Sequence, residues 1–142
     1  MGRVTDDAEP EADAHAHAET AGLTALGRRV TEPLAHLECF AAPPGCTSVT
    51  LTSDEVTSLC PVTGQPDFSS VAITYEPSQR CIESKSLKLY LWSFRNRPVF
   101  AEALAAEIAA EVARAAAPRA GSVTVTQRPR GGITIETTAR LR

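Results

Sequence analysis

The stretch ESKSLKLYLWSFRNRPVFAEALAAEIAAEVARAA, residues 83–116, decides the fold. Leu87, Tyr90, Leu91 and Phe94 recur at i, i+3, i+4 and i+7, the spacing of one buried helical face. This predicts a helix starting near Glu83. Asn96 to Pro98 breaks it. Phe100, Leu104, Ile108 and Val112 then recur every four residues, which predicts a second helix over about Val99–Ala116, stopped by Pro118 and Gly121. Outward from this pair the period changes to two. Upstream, Val49 and Leu51 alternate with Thr50 and Thr52, and Val71, Ile73 and Tyr75 mark a strand over about Phe68–Glu76. Downstream, Val123 and Val125 alternate with threonines. After a turn at Pro129–Gly132, Ile133 and Ile135 do the same, as in a hairpin. The order is strand, strand, helix, helix, strand, strand. It predicts an α+β domain, a four-stranded antiparallel sheet with two helices on one face.

The opposite sheet face would carry Thr50, Thr52, Thr124, Thr126, Thr134 and Glu136, which suit water. A sheet of four strands leaves two edges open. Pairing those edges between copies would close a ring whose polar face lines a tunnel, so a homo-oligomer is expected. A chain of 142 residues fits one domain, 23–142. Ahead of it, residues 1–20 hold six acidic side chains and one basic one, and 1–22 reads as a disordered acidic tail. His15 and His17 lie in that tail without evident co-ligands. Residues 23–46 read as an irregular lead-in, in which Leu23, Leu26, Val30, Leu34 and Leu37 permit a short helix. The net charge of −3 gives no general drive toward nucleic acid or anionic membrane. No basic start with an apolar stretch, and no apolar run of about 18 residues, is present, so a cytoplasmic location is expected.

Of the four cysteines, Cys39, Cys46, Cys60 and Cys81, none forms a C-x-x-C pair, and free thiols with no metal site are expected. Cys60 stands apart. The run Cys60-Pro61-Val62-Thr63-Gly64-Gln65-Pro66-Asp67-Phe68 places a thiol and a carboxylate at the ends of one turn-rich loop. Cys60 suits a nucleophile, and Asp67 suits a group that moves a proton to or from whatever the sulfur attacks. Thr63, Gly64 and Gln65 offer hydroxyl, backbone and amide hydrogen bonds around the sulfur. No histidine is near it in sequence, which argues against a Cys-His dyad.

Three further groups allow two readings each. Lys85 and Lys88, three apart with Ser84 at the helix start, form either a solvated face or a phosphate clamp. Glu83 and Glu102 are helix-start acids favoured by the dipole, or, for Glu102, a partner for the N–H edge of a purine-like ring. Arg128, Arg130, Gly131 and Gly132 form a hairpin turn or a second phosphate contact. The chain has neither G-x-G-x-x-G nor G-x-x-x-x-G-K-[ST], so any nucleotide would be held by side chains and turns.

Taken together, CPVTGQPDF (60–68), ESKSLKLYLWSFRN (83–96) and PRGGI (129–133) resemble the NADPH-dependent nitrile reductases of queuosine biosynthesis, the short QueF-type enzymes. The resemblance spans about 49–136. It implies the tunnelling fold (ββααββ) shared with GTP cyclohydrolase I, assembled as homo-oligomeric rings, stacked pentamers among them. It implies reduction of 7-cyano-7-deazaguanine to 7-aminomethyl-7-deazaguanine with two NADPH. Cys60 matches the nucleophile that forms a covalent thioimide, and Asp67 the general acid/base. Ile82, Glu83, Ser84, Ala101 and Glu102 match base-binding positions, while Lys85, Lys88 and Arg130 are assigned to the NADPH phosphates. Many members have histidine where this chain has Ala101. Two other readings accompany this one: a non-catalytic purine- or pterin-binding ring, and a cyclohydrolase-like hydrolase, which would want zinc ligands that the motif region lacks.

Overall fold

The computed structural model describes residues 22–142, so all but the last position of the expected acidic tail, His15 and His17 included, lies outside the described residues. Eight elements occur in order: β1 (Cys39–Ala41), β2 (Val49–Leu59), β3 (Pro66–Glu76), β4 (Arg80–Ile82), α1 (Ser84–Trp92), α2 (Ala101–Ala116), β5 (Ala120–Arg130) and β6 (Ile133–Arg140). β2, β3, β5 and β6 form one antiparallel sheet in the order β2-β3-β5-β6. The ββααββ order expected from the sequence is therefore present.

Two elements were not legible. β1 and β4, three residues each, pair into a small sheet of their own, with Phe40 opposite Cys81. Three residues are too few for a period of two to show. No helix forms between Leu23 and Leu37, although the leucine spacing permits one; the segment runs in turns and bends. The buried Glu38 carboxylate organises it instead. It accepts bonds from the Thr24 amide (2.9 Å), the Thr24 hydroxyl and the Ala25 amide (3.2 Å), and so ties the incoming chain to β1.

The core lies between one sheet face and both helices. Val56, Val71, Ile73, Tyr75, Val123 and Val125 meet Leu87, Tyr90, Phe94, Leu104, Ile108 and Val112. α2 lies on β5 and β6, and α1 against β2. Alanine is the best helix former, and buried Ala105, Ala109 and Ala116 keep the α2 backbone close to the strands. The other sheet face is polar as expected: Thr50 bonds Thr74 (3.3 Å) and Thr124 bonds Thr138 (2.8 Å) across strands. β5 enters tightly against β3. A Cβ on Gly121 would stand 2.4 Å from the Thr74 carbonyl oxygen, so this position accepts only glycine.

A bulge in β2 sets which way the last residues of the strand face. Ser53 is opposite Val71 and Val56 is opposite Ser69, so Asp54 and Glu55 together face one residue of β3. Up to Ser53 the odd-numbered residues point to the core. After the extra residue Val56 and Ser58 do.

Candidate active site

The β2–β3 hairpin ends in the Cys60 loop. The Cys60 amide donates to the Gln65 carbonyl (2.8 Å) and the Gly64 amide to the Cys60 carbonyl (2.9 Å), closing a tight turn in which Gly64 has φ 71°. The bulge turns Ser58 inward, while Asp67 and Ser69 lie on the buried face of β3 by its own unbroken alternation with Val71, Ile73 and Tyr75; all three are nearly fully buried. Leu59 is held on both sides by the chain leading to α2: its amide donates to the Arg97 carbonyl (3.0 Å), and its carbonyl accepts from the Val99 amide (3.1 Å). The Cys60 loop is thereby fixed next to Phe100 and the head of α2.

Arg130, at the end of β5, reaches this hairpin. One of its nitrogens, Nη1, donates to the Gln65 side-chain oxygen (3.1 Å), and Nη2 stands 2.9 Å from Asp67 Oδ1. The second contact is an ion pair without the alignment of a hydrogen bond. Asp67 Oδ1 and the Ser69 hydroxyl consequently have no hydrogen-bond partner among the described residues. Burying such an atom unpaired costs about 1–3 kcal/mol, a cost that persists in native proteins mainly at functional positions.

The Cys60 thiol is lowered from its ordinary 9.0 to about 6, first by hydrogen bonds from the Thr63 hydroxyl and backbone, then by the Val62 amide and the Arg130 guanidinium, against a small burial effect. Burial pushes Cys39 up to about 11, and burial raises Cys81 as well. All four cysteines are free, and Cys60 is the one whose surroundings favour the thiolate.

The remaining expected site residues fall into two groups. Ala101 and Glu102 open α2, near the Cys60 loop. Ala101 is buried in the core, so its methyl group is packed, whereas Glu102 is exposed. Ile82, Glu83 and Ser84 lie elsewhere. The Ile82 amide donates to the Tyr75 hydroxyl (2.8 Å), and Tyr75 is eight residues along β3 from Asp67. At about 3.4 Å per residue that is ~27 Å, far longer than any base. Glu83 is the N-cap of α1, and its two carboxylate oxygens accept the Lys85 (2.7 Å) and Ser86 (2.8 Å) amides. Ile82–Ser84 line an apolar cavity of about 490 Å³ with Phe40, Val49 and Leu51.

Lys85 and Lys88 line a larger cavity of about 720 Å³ between α1 and β2, together with Trp92, Asp54 and Glu55. The Lys85 ammonium also donates to the Arg28 carbonyl. Arg130, expected with these lysines, stands instead with Cys60 and Asp67. Three side chains at the site, Ser58, Ser69 and Phe100, escaped the sequence reading. Ser58 faces inward only because of the bulge, and Ser69 follows the β3 alternation set by Val71, Ile73 and Tyr75. Phe100, 57 % exposed at the head of α2, looked like a core position by its spacing.

A four-stranded antiparallel sheet with two helices on one face, in ββααββ order, is the tunnelling fold, and here it carries a thiol of lowered pKa and a buried carboxylate at one sheet end. The chain belongs to the QueF-like protein family, whose family model matches residues 66–142. It is 45% identical over 112 residues to the NADPH-dependent 7-cyano-7-deazaguanine reductase of Anaeromyxobacter sp. (strain K), covering 78% of this chain and 92% of that protein. The reductase of the same name from Alkalilimnicola ehrlichii is 46% identical over 105 residues, covering 72% and 81%. Among solved structures, the archaeosine synthase QueF-Like in the apo form superposes with a TM-score of 0.63 at 26% identity, covering 66% of this chain and 92% of that one.

Proposed function

We propose that this protein reduces the nitrile of 7-cyano-7-deazaguanine to the aminomethyl group at the expense of NADPH, within queuosine biosynthesis. The observation that carries the reading is the pairing of a thiol lowered to about 6 with the buried, unsatisfied Asp67 in one rigid hairpin. The names of the relatives point to the same substrate and reductant.

In this reading Cys60 sulfur adds to the nitrile carbon. One C–N π bond breaks, and nitrogen takes a proton from Asp67, leaving a thioimide on the protein and a carboxylate beside Arg130. Covalent addition is useful because a free nitrile is a poor hydride acceptor. NADPH, when bound, supplies two hydrides in succession. Cys60 would leave as a thiolate after the first, and the released imine would accept the second together with a proton on nitrogen, giving the amine. The cavity between α1 and β2 suits a large co-substrate, with Lys85 and Lys88 as candidates for its phosphates, although Asp54 and Glu55 share the lining. Glu102 would take the N–H edge of the base.

The ~27 Å between the Asp67 and Tyr75 ends of β3 bears on assembly. Cys60 and the Ile82–Ser84 group of one chain cannot touch the same base. If both contribute, they come from neighbouring copies, and the free edges of β2 and β6 offer the pairing that would close a ring. The acidic stretch 1–22 would be a tail on this domain, 23–142. A cytoplasmic location is part of the same reading, in keeping with four free thiols. Among the described residues no helix is long and apolar enough to cross a membrane.

The test is direct. Protein mixed with the cyano-deazaguanine and NADPH should consume the reductant, and without NADPH a mass increase equal to the substrate should appear on Cys60. A Cys60→Ala variant should show neither. Base binding without adduct or NADPH consumption would replace this reading with that of a binding protein.

A further inference from the structure

We propose that Arg130 is a positioning residue of the cysteine centre, holding the Cys60 sulfur and the Asp67 carboxyl group in register, and not chiefly a contact for the phosphates of NADPH. This role deepens the nitrile-reductase reading and rests on it for the identity of the reaction.

The geometry points this way on three counts. Arg130 Nη2 stands 2.9 Å from Asp67 Oδ1, a carboxylate with 4% of its side chain exposed. Nη1 holds the Gln65 side chain at 3.1 Å, and the Gln65 backbone carbonyl in turn takes the Cys60 amide at 2.8 Å. A single guanidinium thus fixes both ends of the catalytic hairpin. Finally, Lys85 and Lys88, the other cations assigned to NADPH, line a cavity from which Arg130 is absent. Arg130 sits where β5 turns. The pairing register slips between Gln127 and Arg130, and Gly131 and Gly132 both take positive φ, so the side chain is carried on a sharp turn facing the sheet end.

The charged side chains at this end are Asp67 from β3, Arg128 and Arg130 from β5, and Glu102 at the head of α2. Arg128 stacks over Phe68 at 6.0 Å. A guanidinium facing both groups stabilises whichever carries the negative charge, the thiolate while Asp67 holds its proton and the carboxylate once that proton is given up. When sulfur bonds to the nitrile carbon and Asp67 gives its proton to nitrogen, negative charge passes from sulfur to the carboxylate. Arg130 faces both groups, so it remains paired throughout. It does not itself donate the proton, because arginine stays charged in proteins.

The experiment measures iodoacetamide alkylation of Cys60 against pH by peptide mass mapping, in the full-length wild type, Arg130→Gln and Arg130→Lys. No substrate or NADPH is present, so the result stands even if turnover is never seen. The wild-type midpoint should lie near 6. Arg130→Gln should move it up by about one unit or more, with Thr63 and Val62 retaining part of the depression. Arg130→Lys keeps the charge but loses the fork, and should fall between. A melting curve on each variant confirms folding. Superimposable alkylation profiles for all three folded proteins would overturn the proposal.

Discussion

Replacing Glu83 separates two roles that the sequence leaves together. Its carboxylate is 5% exposed and caps α1 with one oxygen on the Lys85 amide at 2.7 Å and the other on the Ser86 amide at 2.8 Å. Glu83→Ala strands both amides in a buried setting. Loss of an N-cap costs ~0.5–2 kcal/mol. Burial puts this case at the upper end, while relief of a desolvated carboxylate keeps it from exceeding that range, so ~2 kcal/mol is expected. For a domain of this size each kcal/mol moves Tm by ~4 °C, giving a drop of ~8 °C in a calorimetric or dichroism melt. Glu83→Asp is the control. Aspartate caps as well as any residue, so its Tm should stay within ~2 °C of wild type, while the retracted carboxylate should raise the KM for the base if Glu83 also binds it. A Glu83→Ala melt within ~2 °C of wild type would refute the capping argument. An unchanged KM in Glu83→Asp would assign the residue to the helix alone.

Two other perturbations test the scaffold. Ala117 ends α2 with φ 43°, a left-handed conformation that costs an alanine ~1–2 kcal/mol, so Ala117→Gly should gain ~0.5–1 kcal/mol after the extra chain entropy of glycine is subtracted; a lower Tm would contradict this. The Glu111 carboxyl is held below its usual range by Arg114 first, against burial, and then by the Leu37 amide at 2.7 Å. Its contribution is therefore present above the unfolded carboxyl value of ~4.3 and is lost as pH falls through the lower folded value, so Glu111→Gln should cost more Tm at about pH 7 than at about pH 3.5. An equal cost at both pH values would show that the carboxylate charge is not what stabilises the contact.

The fold was largely legible because its long elements are periodic. Leu104, Ile108 and Val112 mark α2, and Val123 and Val125 mark β5, with no help from distant residues. What escaped were features made by contact. β1 and β4 exist because Phe40 and Cys81 pair, not because either segment has strand character. The leucines at 23–37 have helical spacing, yet the buried Glu38 carboxylate gives that backbone better partners than a short helix would. Arg130 in sequence is one basic residue in a turn beside two glycines. Only the approach of two hairpins places it against Asp67 and Gln65.

By itself, the sequence determined the order of strands and helices, the nearness of Cys60 and Asp67 in one hairpin, and the polar sheet face, since each is a local pattern of spacing and side-chain type; Asp67, expected in the loop, lies inside β3. The tertiary structure alone decided which way the loop faces. The extra residue at Asp54–Glu55 shifts β2 by one position, so Ser58 turns inward to face Asp67, which the regular alternation of β3 already buries. Without it, strict alternation would have sent Thr57 and Leu59 to the core in place of Val56 and Ser58. A period of two carries no memory of an inserted residue until the partner strand is in place, and that pairing is what sets Ser58 against Asp67 beneath the Cys60 loop.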